Sequence, residues 1–205
     1  MKYLIISFIM LSAFPTCCNE DSVEVERILL SKEEDNLINY TKDEVVKFKH
    51  SNGFTFDVLV TNNDYSFRRS FDESCAECCG GEYKSLQERF VSLTSNYPNL
   101  TMTLSLSNNN FSYSEHKSIN FSLNSYSTNL FYDNKNEFIC DSLVVCHDQI
   151  KINNTNYFNV LEKKLDSRFH VNDTIDFYPQ KLFYNTTKGI IQIKMSNNES
   201  YFIDN

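Results

Sequence analysis

The chain has 205 residues, of which 41% are hydrophobic, 14% aromatic and 22% charged, with 4 Gly, 3 Pro and no Trp. These are the proportions of a folded domain and exclude a disordered, collagen-like or low-complexity chain. A formal net charge of −8, with no basic stripe, excludes a nucleic-acid binder.

Residues 1–18 read as an export signal. Lys2 supplies a positive charge, and residues 4–11 form an apolar run of signal-peptide length, too short to cross a bilayer. Ser12, Ala13, Pro15 and Thr16 then give a small or turn-forming stretch ahead of Cys17 and Cys18. This order resembles the lipobox of bacterial lipoproteins, in which a lipid is joined to the cysteine thiol and the signal is cut just before it. The resemblance implies a signal peptide over 1–17, a palmitate-type acyl group on Cys18 (or Cys17), and a membrane partner reached through that anchor. The address it implies is the cell envelope, at the outer membrane on its periplasmic or surface face. Asn19-Glu20-Asp21 after Cys18 is similar to the acidic segment behind the anchor in surface-exposed lipoproteins of Bacteroidota-type bacteria. Phe14, three places before Cys17, favours Cys17 instead. The other reading is an ordinary secretory signal and a soluble secreted glycoprotein. Sequons at Asn39, Asn99, Asn110, Asn120, Asn153, Asn172, Asn185 and Asn198 would then mark its surface.

Residues 18–44 are acid-rich, with Glu20, Asp21, Glu24, Glu26, Glu33, Glu34, Asp35, Asp43 and Glu44. They are expected to form a solvated tether with at most a short helix. The alternative is a helical arm packed through Ile28, Leu29 and Leu30. From 45 to 205 the chain reads as one β-rich domain. Val46 and Phe48 alternate with lysines up to Ser51-Asn52-Gly53, and Phe54, Phe56, Val58 and Val60 return, which predicts a hairpin. A second hairpin runs over 90–95, the turn 96–99 and the alternating Leu100, Met102, Leu104 and Leu106. Half-hydroxyl strands of this kind suit a sheet with one solvated face. Residues 82–93 are the one window with helix-like spacing.

Further strands are expected over 119–123, 138–145, 150–152, 157–161, 182–184, 190–195 and 201–203, with turns at 153–156, 185–189 and 196–199. The fold class is therefore mainly β: an antiparallel sandwich or partly open barrel. The runs 150–160 and 182–191 resemble the closing hairpin of uncharacterised Bacteroidota lipoproteins, a group that assigns no catalytic residues. A more distant similarity, to open-barrel lipoprotein carriers, rests on the same hairpin.

An exported chain meets an oxidising compartment, so Cys75, Cys78, Cys79, Cys140 and Cys146 read first as disulfide candidates. The expected staple joins the 75–79 cluster to the 140–146 segment, with connectivity left open. Cys75-Ala76-Glu77-Cys78 has redox-motif spacing but no βαβ context. A zinc set drawn from Cys75, Cys78, Cys140, Cys146 and His147 has a second pair spaced Cys-x5-Cys, unlike structural zinc sites. His50, His116 and His170 stand isolated. No Gly-x-Ser-x-Gly, His-Glu-x-x-His or phosphate loop occurs, so no catalytic residue, metal or cofactor is implied. The expectation is a lipid-anchored, non-enzymatic envelope protein that binds a small molecule or another protein. The alternative is an open-barrel carrier of a lipid or apolar small molecule. An enzyme would require ionisable residues converging in a cleft.

Overall fold

The hairpins form where the turn chemistry places them. In a computed structural model that describes residues 22–71, 82–107, 117–124, 126–165 and 178–204, β1 (Val23–Ile28) and α1 (Lys32–Asp35) precede β2 (Val45–His50) and β3 (Thr55–Phe71), which pair across Gly53. Next come β4 (Glu82–Ser95), β5 (Leu100–Ser107), β6 (Lys117–Leu123) and β7 (Tyr126–Tyr132) as a meander. β8 (Val144–Ile152) and β9 (Thr155–Lys164) turn on Asn153-Asn154, both left-handed, the geometry that matches strand twist in a two-residue hairpin. β10 (Pro179–Asn185), β11 (Gly189–Met195) and β12 (Ser200–Ile203) complete the chain. With only 4 glycines available, asparagine also fills the left-handed positions at Asn124, Asn136 and Asn198.

Strands make up 68% of the described residues and helix 3%, so the chain is mainly β. All strands share one sheet in the order β7-β6-β5-β4-β3-β2-β12-β11-β10-β9-β8, with β1 added in parallel to β4. The rest pairs antiparallel and is nearly closed into a barrel with an unsealed seam. Because β7 and β8 end the order, the seam runs between them. Val58, Val60, Val91, Leu93, Met102, Leu104, Leu106, Ile119, Phe121 and Ile193 face inward at 0–1% exposure. Each such side chain contributes roughly 1.5–3 kcal/mol by leaving water. A smaller cluster of Ile152, Tyr157, Val160, Phe183, Ile191 and Phe202 lies apart from this core.

The structure corrects three expectations. Residues 82–93 are strand, not helix: β4 is zipped between β3 and β5, and those ladder bonds override local spacing. Residues 138–145 are not one strand; Phe138 makes an isolated bridge to Tyr132, and β8 begins only at Val144. The third concerns the acidic tether. From residue 22 the segment belongs to the barrel: β1 pairs with β4, and Leu37, Ile38 and Tyr40 enter the main core at 5%, 1% and 4% exposure.

Local chemistry starts that plug and distant partners hold it. Ser31 caps α1 in a capping box, its hydroxyl accepting from the Glu34 amide at 3.1 Å while the Glu34 carboxylate accepts from the Ser31 amide at 2.7 Å. Glu34, 2% exposed, forms an ion pair with Lys117. Burial alone would raise the Glu34 pKa, but hydrogen bonds from Lys117 and Ser31 hold it below the usual value. The Asp35 carboxylate accepts from the Tyr65 hydroxyl and from Arg89. Glu24, Glu26, Glu34 and Asp35 are thus paired while Glu33, Asp43 and Glu44 stay exposed, a division that composition does not reveal.

Candidate functional site: the barrel seam

The chain passes directly from one edge of the sheet to the other, so the seam is bordered by residues close in sequence. After β7, a turn at 133–137 brings Phe138 and Ile139 back along the β7 edge. There the Ile139 amide donates to the Phe131 carbonyl at 2.9 Å. The Phe138 ring sits 6.3 Å from Tyr132 and 6.2 Å from Tyr184, edge-on to both. Cys140 then bonds to Cys146 in β8, with their Cα atoms 5.8 Å apart. The disulfide and the Phe138 bridge together clasp one end of the seam.

Below the clasp a cleft of about 420 Å³ stays open. Tyr126, Ser127, Thr128, Asn129 and Phe131 of β7 border it, with Phe121 of β6. Residues from both faces of β7 take part, as a groove along an unpaired strand edge requires. Leu143, Lys163, Lys164 and Leu165 form the opposite wall. Its size lies at the small end of the range for ligand pockets, and its lining mixes rings and aliphatic groups with a few polar ones.

Lys163 sets the character of the cleft. Its ladder neighbours are Val144 in β8 and Leu182 in β10, at 3% and 0% exposure, so it occupies an inward position that strand parity gives to an apolar residue. Lys163 itself is 6% exposed, and among the described residues its ammonium has no hydrogen-bond or ion-pair partner. Burial pushes its pKa below the ordinary lysine value, and the charge of Asp141 opposes that shift. The Asp141 carboxylate is itself committed to the Leu143 and Val144 amides at 2.6 and 2.8 Å. Tyr126, across the cleft, has its hydroxyl pKa raised by burial and by Tyr178. The arrangement places a partly desolvated Lys163 and a more exposed Lys164 in a groove of mixed apolar and polar lining, open at a strand edge.

The cysteine expectation is corrected here. Cys140 and Cys146 bond to each other, so neither sulfur is left for Cys75, Cys78 or Cys79, which lie outside the described residues. A tight loop of sequence separation 6 brings the two within bonding reach, and proximity decides the pairing. The zinc set is not assembled either. Two of its sulfurs are oxidised, and His147 Nε2 lies 3.0 Å from Glu162, which also accepts from Lys181 at 2.6 Å. Among the described residues no group of three His, Cys, Asp or Glu side chains gathers around a metal-sized space. His50 is buried, its Nδ1 accepting from the Asn52 amide at 3.1 Å and its ring stacked on Phe54, which is a turn-stabilising role. His116, His170, Cys17 and Cys18 lie outside the described residues. Sequence reasoning passed over Lys163; the signal was its parity with the buried Leu161, two places earlier.

Opening the clasp is expected to loosen the seam. The double variant Cys140→Ser, Cys146→Ser should lose on the order of 2 kcal/mol, the loop-closure value for so short a ring. Hydrogen exchange should accelerate at Val144, His147 and Ile139 while β4 and β5 amides keep their protection. Uniform acceleration across the sheet would contradict a local clasp.

No protein-family model, curated protein or solved structure matches the chain. The functional reading therefore rests on the residues and their geometry.

Proposed function

We propose that the chain is a lipid-anchored protein of the cell envelope, non-enzymatic, whose seam cleft holds a small amphipathic anion. The anchoring half rests on residues 1–18, with the acyl group on Cys18 or Cys17. The binding half rests on one observation: the unpartnered ammonium of Lys163, a residue only 6% exposed, beside Lys164 in a groove that also presents rings and aliphatic side chains. A partly desolvated charge without a partner is unfavourable, and a ligand carboxylate or phosphate would offset that cost while its hydrocarbon part covers Phe121, Tyr126 and Leu143. Leu37, Ile38 and Tyr40 fill the barrel core, so the ligand belongs in the seam rather than along the barrel axis.

The test uses 11-dansylaminoundecanoic acid and its methyl ester as probes. The acid should bind the wild type, and both the ester and the Lys163→Met variant should bind about tenfold or more weakly. Equal binding of acid and ester, or no binding of either, removes the reading.

Lys163→Met should also be more stable than the wild type at neutral pH, by on the order of 1 kcal/mol, because it replaces a desolvated charge with an apolar chain of similar length. The sign of the pH dependence follows from the lowered pKa. The unfolded chain holds the Lys163 proton more tightly than the fold does, so the penalty is complete below the folded pKa. It fades as pH rises from there to the ordinary lysine value. Thermal melts across that alkaline window should show the two proteins converging. A variant less stable than wild type at neutral pH would mean that Lys163 has a structural partner.

A further inference from the structure

We infer that the arm built from β1 and the outer halves of β3 and β4 is a membrane-contact surface whose described rings, Phe67, Phe71 and Tyr83, seat in the interface of a phospholipid bilayer. β5 pairs with β4 only from Glu88 onward, whereas the β3–β4 ladder continues out to Phe71 and Tyr83. Beyond Glu88, among the described residues, β1 takes the place of β5 on the side of β4 opposite β3. One face of this extension interleaves rings with guanidinium groups. Arg27 lies 5.0 Å over Phe67, Arg69 lies 4.8 Å over Tyr83, and the Phe71 and Tyr83 rings are 5.7 Å apart. Phe67 and Phe71 remain 46% and 50% exposed, and Val23 and Val25 at the same end are 60% and 49% exposed.

Apolar side chains clustered at one end of an exposed arm call for a cover. Three features select a bilayer. Rings beside long cationic side chains suit the polar–apolar boundary, where the rings enter and the charged heads stay wet. The charges along the described face are mostly balanced, because Arg27 pairs with Glu24, Lys84 with Glu26 and Arg68 with Glu88, with Glu82 the exposed acid at that end. The third feature rests on the lipid-anchor reading. An acylated Cys18 lies five residues before Val23, and a chain of that length spans at most about 18 Å. Val23 pairs with Glu82 at the outer end of the arm, so the anchor would hold that end, rather than the barrel, against the membrane.

The chain has no Trp, which makes Phe71→Trp a single-site reporter and Tyr97→Trp its control. Tyr97 is 77% exposed in the turn after β4, roughly 40 Å along that strand from Glu82. The full-length gene is expressed with its signal, the mature product is weighed intact, and each variant is mixed with phosphatidylcholine vesicles containing brominated lipid. The Phe71→Trp emission should shift to the blue and fall about twofold or more, as interfacial depth requires, while the Tyr97→Trp emission stays unchanged. Acylated, vesicle-bound protein in which neither reporter is quenched overturns the arm proposal and leaves the anchor reading standing. Quenching at position 71 in protein that carries no acyl mass supports the arm and overturns the anchor. An unacylated protein that stays aqueous and unquenched overturns both. A blue shift that grows with protein concentration in the absence of vesicles assigns the face to a second copy and overturns the proposal.

Discussion

Gly189→Ala is expected to be among the most damaging single-methyl changes in this protein, lowering stability by about 3 kcal/mol or more. Gly189 opens β11 at φ +74, a backbone conformation that disfavours any L side chain. A Cβ at that position would land inside the Tyr40 ring and hydroxyl. Tyr40 has nowhere to retreat: it is 4% exposed within the core, and its hydroxyl accepts the Ile190 amide at 2.7 Å. Burial raises its pKa, so the phenol stays protonated and its oxygen remains an acceptor across the accessible range. Displacing the ring breaks that hydrogen bond and opens the plug at once. For a domain of this size the melting temperature should fall by roughly 10 °C. Gly53→Ala separates the contributions. Its φ is +104, but nothing lies within 4 Å of an added Cβ, so only backbone strain remains, about 1 kcal/mol. Equal losses in the two variants would show that the Tyr40 contact contributes nothing.

Arg89→Lys should be nearly as damaging as Arg89→Ala, and both should release the plug. The Arg89 guanidinium is 93% buried and spends its donors on backbone. Nη1 reaches the Asp35 and Ile38 carbonyls at 2.7 and 3.0 Å, Nη2 reaches the Tyr40 carbonyl at 3.0 Å, and Nε reaches the Asn63 side chain at 2.9 Å. One planar fork thus ties three carbonyls of an irregular segment to β4. A lysine keeps the charge but cannot span all three, so the tie from β4 to this segment falls back on the Asn63 amide at the Tyr40 carbonyl and the Ile38 amide at the Asp35 carbonyl. The expected loss is about 3–5 kcal/mol, the range for removing one partner from a buried ionic network. It should appear first as fast hydrogen exchange and protease cleavage between residues 31 and 44. Full retention of the wild-type melting temperature by Arg89→Lys would mean that the plug is held by Leu37, Ile38 and Tyr40 alone.

The two variants probe the part of the molecule that sequence reasoning placed least well. Residues 18–44 look solvated because their acids outnumber their apolar anchors. Leu37, Ile38 and Tyr40 follow neither a helical nor a strand period, so periodicity carries no signal for them. Their burial depends on Lys117, Arg89, Tyr184 and Gly189, which are 49–150 residues away. The seam is comparable. Lys163 is an ordinary strand lysine until Val144 and Leu182 take the places on either side of it. The cysteine pairing also turned on three-dimensional proximity: the loop after β7 brings Cys140 to Cys146, while spacing alone suggested a link between clusters.

What the amino-acid order determined by itself is the local β grammar. Alternation in 45–60 and 90–107, Asn52-Gly53, and the asparagine turns produced strands and hairpins at the predicted places, because strand pairing across a short turn depends on neighbours within a few residues. The tertiary structure alone decided which strands end the sheet, which acidic segment plugs it, and which lysine is drawn into the seam. Those outcomes follow from closing the sheet through the β2–β12 pairing, which joins the two ends of the described chain. Closure leaves β7 and β8 as the only edges on that path and creates an interior that local patterns cannot anticipate.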